Sequence, residues 1–390
     1  MKIPFHRPVF NKSTIAEIQD VIESGWVTTG KKTLLFEEKL CDYLDSRHVI
    51  AVNSCTAALH LGAVISGLTE NDFFIVPSYT FVSSIEIGEY IKALPLIVDI
   101  DKKTMNLDLN QVEHLLKKYG KKIKTIIPVH LAGNPVEMKK LFEIKEKYGC
   151  FILEDSAHAL EAVDNNKKIG NTNDAAAFSF YANKNITTGG EGGAISTNDR
   201  SKAEKIRKLS LHGMNKDGWS RYSNKGRWSY DIGSLGYKYN LTDIASSIGL
   251  IQLSHVNEWH LKRESIFKKY NNSFKKIEGI AVPPESSKRS KHARHLYIIR
   301  IVKELWSISR DEIIIMLNKL GVGTSVHYKP IHMHSFYQKK YDFEPNNFPN
   351  SKETYENAIS LPLYPDLKDN EILFVIDTIN ELWDEFSISM

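Results

Sequence analysis

HVIAVNSCTAALHLGAVIS, residues 48–66, joins a run of five apolar residues to a segment with helical apolar spacing, through the polar hinge Asn53-Ser54. The apolar half recurs as FFIVPS (73–78), LPLIVDI (94–100), TIIPVH (125–130), CFILED (150–155), AAAFSF (175–180) and GAIS (193–196). Helical patterns such as Pro135 to Lys147 separate these runs. A strand that is apolar throughout is buried on both faces. The alternation therefore predicts an α/β fold, a mostly parallel central sheet with helices on both faces. Ligands of such sheets gather beyond the carboxyl ends of the strands, which directs attention to the polar residues closing each run.

Beyond residue 240 the pattern changes. Leu241 to Lys276 is one long helical pattern without proline, with Thr242 and Asp243 as cap candidates. After the turn at Pro283 and Pro284 come a strand HLYIIRIV (295–302), a helix capped near Ser309, a second strand GTSVHY (323–328) and further helices. The expected division is a large domain with an N-terminal arm over residues 1–250 and a smaller C-terminal α/β domain over 251–390.

Composition narrows the class. With 42% hydrophobic and 25% charged residues among 390, disordered and collagen-like architectures are excluded. The 51 basic against 47 acidic side chains give a formal net charge of +4, too small an excess to indicate nucleic acid. The densest basic stretch, KRSKHARH (288–295), lacks the interleaved aromatics that stack bases and reads as a solvated loop. Cys41, Cys55 and Cys150 cannot pair completely and show no metal-ligand spacing. No apolar run approaches the roughly 18 residues that span a bilayer, and MKIPFHRPVF at the start lacks the apolar core of a leader. The expectation is a soluble cytoplasmic protein that binds neither nucleic acid nor membrane.

Three constellations stand at strand ends. In NSCTAAL (53–59) small and hydroxyl residues enter a helix directly, so Cys55 and Thr56 offer backbone N–H groups and a hydroxyl to an anion; an ordinary N-cap reads the same way. In EDSAHA (154–159) two acids close a very apolar strand, costly unless something pairs with them; a turn-forming aspartate is the plainer alternative. In SFYANKNITTGGEGG (179–193) a strand runs into a loop bearing Lys184 and then a glycine cluster that lacks the GxxxxGK[ST] pattern. Anion cradle, buried acid and lysine suit pyridoxal 5′-phosphate, which carries a phosphate, a pyridine nitrogen that works best protonated, and an aldehyde that needs an amine.

With PSYTF (77–81) and GYKYNLTDIASSIGLIQL (236–253), these stretches resemble the sugar-nucleotide aminotransferases of the DegT/DnrJ/EryC1/StrS family. The likeness runs from GWVTTG (25–30) through HYKPIHMH (327–334) to LPLYPDL (361–367), and His212 to Ile244 looks closest to members acting on 4-keto sugars. The resemblance implies a fold type I aminotransferase, a homodimer with shared active sites, using pyridoxal 5′-phosphate with pyridoxamine 5′-phosphate as the intermediate form. It implies Lys184 as the lysine joined to the cofactor, Asp155 on the pyridine nitrogen and His158 on the ring hydroxyl. Phe81 would stack on one ring face and Ala157 on the other. Cys55, Thr56 and Ser179 would hold the phosphate, with Lys238 and Asn240 reaching it, or the substrate, from the partner subunit. His327 and Tyr328 would line the sugar pocket, and Trp26 and Thr28 would border the nucleotide. Two departures stand out: TTGGEGG (187–193) is one glycine longer than the TTGEGG of many relatives, and GYKYN replaces their GYNYR.

The function expected is transfer of an amino group from an amino acid, L-glutamate first, to C4 of a nucleotide-linked keto sugar for polysaccharide or glycoconjugate synthesis, lipopolysaccharide and O-antigen included. A sugar dehydratase of the same family would carry histidine at the lysine position, and a non-catalytic paralogue would have no need of Lys184, Asp155 and His158 together. His327, His332 and His334 lack a carboxylate partner, so no metal site is expected.

Overall fold

The computed structural model describes residues 1–214, 231–285 and 289–388. Seven strands form the main sheet: β1 (His48–Val52), β2 (Phe73–Pro77), β3 (Leu94–Val98), β4 (Ile123–Ile126), β5 (Phe151–Asp155), β6 (Ala175–Ser179) and β7 (Gly193–Thr197). Their spatial order is β1-β7-β6-β5-β4-β2-β3. Pairings from β6 to β3 are parallel; β7 runs antiparallel to both β6 and β1. The carboxyl ends of β1, β2, β4, β5 and β6 and the amino end of β7 therefore share one edge. Each apolar run identified in the sequence lies on one of these strands. TIIPVH keeps only Thr125 and Ile126 in the strand; beyond it Ile127 N still donates to Ile75 O and Val129 bridges Asp155, past Pro128, whose nitrogen cannot donate.

Helices cover both faces. Cys55–Ile65 buries Ala57 through Ala63 against β5, β6 and β7 on one side, while Leu109–Tyr119 and Met138–Tyr148 pack Val112, Leu116, Leu141 and Ile144 on the other. A second core gathers on an antiparallel sheet of β8 (Ile280–Ala281), β9 (Tyr297–Ile301) and β10 (Ala358–Leu361), centred on Tyr270, Tyr297, Ile359 and Val375. Ile3 is buried in this core and bridges Val322, so the N-terminal arm reaches across to it.

Three expectations need correction. The long helix after Leu241 is two, Asp243–Ser254 and Val256–Phe274, broken at His255; Thr242 caps the first through Ala245 N. GTSVHY forms no strand and contributes a single bridge, Ser325 to Ser360. The basic stretch is no solvated loop. Lys288 lies outside the described residues, but His292, Ala293, Arg294 and His295 are all buried. Arg294 pays for its burial with an ion pair to Glu264 at 2.6 Å and by lying 3.8 Å over the Phe267 ring.

Candidate active site

An open cavity of about 430 Å³ lies at the shared strand edge. At its β1 end the helix Cys55–Ile65 begins. Ser54 accepts the Ala57 N–H on its side chain at 3.1 Å, so the first two N–H groups, of Cys55 and Thr56, are left with no partner inside the helix. Gly193 lets β7 start against this helix end: a Cβ there would stand 2.6 Å from Cys55 N and 2.7 Å from Phe178 O. Ser179 closes β6 beside the same opening. Helix N-terminus, Thr56 hydroxyl and Ser179 hydroxyl form one anion-attracting wall.

Asp155 closes β5 and is 4% exposed. Oδ2 accepts the Ser84 hydroxyl at 2.7 Å and Oδ1 the Ala157 N–H at 3.2 Å, and no ion pair reaches it among the described residues. Burial raises its pKa; the two hydrogen bonds and Lys184 oppose that shift. A carboxylate held this way, facing a cavity, is suited to a cationic N–H.

Lys184 stands in the loop between β6 and β7, its backbone N–H turned back to Tyr181 O at 3.0 Å. Burial pushes its amine down to about 8, while Cys55 and Asp155 pull the other way. Histidines around the amine are also held neutral by burial: His158 well below its ordinary value and His327 down to about 3. Such an amine is available as a base and nucleophile near neutral pH.

Among the sequence candidates, Cys55, Thr56, Phe81, Asp155, Ala157, His158, Ser179, Lys184, His327 and Tyr328 are brought together around this cavity. Phe81 is half-exposed, with its ring 5.6 Å from that of Tyr328. His158 has a second partner that the sequence did not suggest: Nε2 lies 3.0 Å from the Tyr328 hydroxyl, and Nδ1 accepts the Ala132 N–H at 3.2 Å. Four candidates do not line the cavity of their own chain. Trp26 donates to Thr29 O, the Thr28 carbonyl accepts from Asp243 N, and the Asn240 amide donates to Thr29 Oγ1 at 2.7 Å. Lys238 is exposed, its carbonyl 3.3 Å from the Asn53 amide. Of the stretch His212 to Ile244, residues 215–230 lie outside the described residues. The three histidines near residue 330 diverge: His327 pairs with Ser360, His332 stacks on Phe348, and His334 meets Lys329 O.

Ser84, Tyr181, Asn183 and Glu191 are further site residues that sequence reasoning missed. Tyr181, Asn183 and Glu191 gave a signal, by lying in the quoted lysine loop; Ser84 is one hydroxyl among several on its helix.

The donor set fits pyridoxal 5′-phosphate. The helix N-terminus with its hydroxyls suits the phosphate, the buried Asp155 carboxylate the pyridine nitrogen, and the low-pKa amine the aldehyde. Asn183 Oδ1, buried and without a hydrogen-bond partner among the described residues, adds an acceptor to the same cavity.

Comparison with known proteins agrees. Residues 8–380 match the model of the DegT/DnrJ/EryC1/StrS aminotransferase family. The spore coat polysaccharide biosynthesis protein SpsC of Bacillus subtilis is 37% identical over 381 residues, 97% of each chain. A candidate sugar aminotransferase from Streptococcus pneumoniae, Spr1654, solved in its PMP-form, superposes with a TM-score of 0.90 at 32% identity, covering 99% of this chain and 98% of that one. Helicobacter pylori PseC, an aminotransferase involved in the biosynthesis of pseudoaminic acid, gives 0.89 at 29% identity, covering 99% and 100%. The chain belongs to the DegT/DnrJ/EryC1/StrS aminotransferase family. It is an aminotransferase of fold type I, and its site is built for pyridoxal 5′-phosphate.

Proposed function

We propose that this family member transfers an amino group from an amino acid, L-glutamate first, to C4 of a nucleotide-linked keto sugar that feeds polysaccharide or glycoconjugate synthesis. The observation that carries the reading is Lys184, a buried amine of depressed pKa between the Asp155 carboxylate and an open helix N-terminus. The association of SpsC with spore coat polysaccharide and of PseC with pseudoaminic acid supports a sugar acceptor. No described helix is long and apolar enough to cross a membrane.

When bound, pyridoxal 5′-phosphate supplies an electron sink and an aldehyde. The protein supplies the rest. Asp155, oriented by Ser84 and Ala157, holds a proton on the pyridine nitrogen. Cys55 and Thr56, with Ser179, hold the phosphate, and Phe81 and Ala157 flank the ring plane. The Lys184 amine would take the proton from Cα of the donor and deliver it to the carbon that was the cofactor's aldehyde, a transfer of the kind worth about 10²–10⁴-fold. Lys184 in place of a histidine argues against dehydration.

The decisive experiment incubates the loaded enzyme and L-glutamate with UDP-, GDP- and dTDP-linked keto sugars and follows products by mass spectrometry. The expected product has its ketone oxygen replaced by an amine, with one 2-oxoglutarate formed per amine. Consumption of glutamate with a non-sugar acceptor, and with none of the keto sugars, would remove the sugar reading.

The same proposal includes a homodimer whose sites are shared. Trp26, Thr28, Lys238 and Asn240 lie outside their own cavity, and Thr29 links Asn240 to the Trp26 turn, so these residues form one patch able to serve a second subunit. Lys238 would meet the partner's cofactor phosphate as a charge-assisted donor. Mixing Lys184→Ala with Lys238→Ala subunits should then yield heterodimers with one intact site and one site carrying both lesions. Activity should rise well above that of the two parent homodimers, toward half that of wild type per heterodimer and so about a quarter in a randomly exchanged equal mixture. Heterodimers that form without gaining activity would place Lys238 in its own subunit's service.

A further inference from the structure

The side chain after Lys184 is committed inward. Asn185 Nδ2 donates to Glu161 Oε2 at 2.6 Å and to the Ala293 carbonyl at 3.0 Å, and Oδ1 lies 2.9 Å from His295 Nδ1. A carboxamide has two N–H hydrogens, and both are in use, so Oδ1 accepts and His295 carries its proton on Nδ1. The flipped amide would set an oxygen against a carboxylate and a carbonyl and can be excluded. Glu161 is fully buried and is held from its other side by an ion pair with Arg263 of the helix Val256–Phe274. The His295 ring lies 4.4 Å from that of His158. Since His158 Nδ1 accepts the Ala132 N–H, its own proton sits on Nε2, toward the Tyr328 hydroxyl. A continuous buried chain thus runs Arg263, Glu161, Asn185, His295, His158, Tyr328, attached at Asn185 to the lysine loop.

We propose that Asn185 is a positioning residue, fixing the Lys184 backbone so that its amine meets the cofactor aldehyde in reacting geometry. Consecutive Cα atoms are 3.8 Å apart across a trans peptide. Three hydrogen bonds on one side chain therefore restrain its neighbour closely. The restraint matters because the other side-chain hydrogen bonds of the loop, Thr187 Oγ1 to Phe180 O and Thr188 Oγ1 to Glu191 O, hold its later part, three and four residues beyond Lys184. A displacement of about 1 Å costs a reaction of this kind on the order of 10²-fold. The inference rests on the reading of Lys184 as the lysine that captures the cofactor.

Capture is followed in the apoprotein by adding pyridoxal 5′-phosphate, quenching with borohydride at timed intervals and weighing the Lys184 peptide. In this step the amine nitrogen bonds to the aldehyde carbon, C=N replaces C=O and one water leaves; hydride then reduces C=N. Docking without capture is read from the affinity for pyridoxine 5′-phosphate, which lacks the aldehyde. Asn185→Ala and Asn185→Asp should capture about 30–100-fold more slowly while binding pyridoxine 5′-phosphate within about threefold of wild type. His295→Asn keeps an N–H donor for Asn185 Oδ1 and should capture within about fivefold of wild type, whereas His295→Leu, which removes that donor, should be slowed at least about tenfold. Folded Asn185 variants that capture at the wild-type rate overturn the proposal. So do capture and docking that weaken in equal proportion, or a folded His295→Leu as fast as His295→Asn. If an Asn185 variant does not fold, judged by the apoprotein thermal midpoint, the two His295 variants decide by the same thresholds. No label on Lys184 in wild type is instead the failure of the cofactor reading.

Discussion

Lys184→Ala is expected to reduce amino transfer by about 10⁴-fold, equivalent to about 5 kcal/mol of barrier, while leaving the apoprotein folded. Two contributions vanish together: the covalent hold on the cofactor and the base that moves the Cα proton. Folding should survive because the amine makes no ion pair or hydrogen bond among the described residues, and its burial disfavours the charged form. The sign follows from the lowered pKa. A lysine whose folded pKa lies below its unfolded value costs stability below about 8 and gives that cost back as pH rises toward the ordinary lysine range. The variant should therefore match or exceed wild-type apoprotein stability at pH 7. In wild-type apoprotein an acylating reagent should label Lys184 half-maximally near pH 8, whereas exposed lysines follow the ordinary value of about 10.4. A Lys184 that labels with the exposed lysines, or a variant that turns over near the wild-type rate, would show an ordinary surface lysine.

The sheet was legible in the sequence because a strand buried on both faces carries a continuous apolar signal; β1, β2, β5, β6 and β7 are of that type, while the edge strand β3 leaves Leu94 exposed and β4 leaves Lys124 exposed. Asp155 and Lys184 were legible because each interrupts such a signal at the edge where ligands bind. The network behind them was not. Ser84, Glu161, Asn185 and His295 come from four separate segments, and their meeting depends on sheet order and on the return of residues 292–295 under the lysine loop. Local composition carries no trace of that return. It even pointed the wrong way at KRSKHARH, because burial of Arg294 is decided by Glu264 and Phe267, some thirty residues earlier on a helix. GTSVHY misled for a related reason: its alternation suits a strand, but beside β10 it pairs only at Ser325.

Asp155→Asn should lower amino transfer by about 10²–10³-fold and at the same time leave the empty protein as stable as wild type or more so at neutral pH. These opposite signs separate a functional carboxylate from a turn residue. In the folded chain Asp155 is buried and its pKa is raised, first by burial, against the pull of Ser84, Ala157 and Lys184. An acid whose folded pKa is raised destabilises the fold above its ordinary range, because the folded state holds the proton longer than the unfolded state does. An amide carries no such charge, so Asn removes the penalty. Nor need it lose the local hydrogen bonds: its oxygen can still accept the Ala157 N–H, and its NH₂ can donate to the Ser84 hydroxyl. The stability gain should be present at pH 7 and should shrink as pH falls through the raised pKa of Asp155, where wild type becomes neutral as well. Activity behaves differently. A neutral amide cannot hold a proton on the pyridine nitrogen as a carboxylate does, so the deficit should appear in the half-reaction with glutamate, with cofactor docking reduced far less. Thermal midpoints of the two apoproteins across pH, beside single-turnover rates with glutamate, measure both effects. Loss of folding with no separate kinetic defect would return Asp155 to the role of a strand-end turn residue.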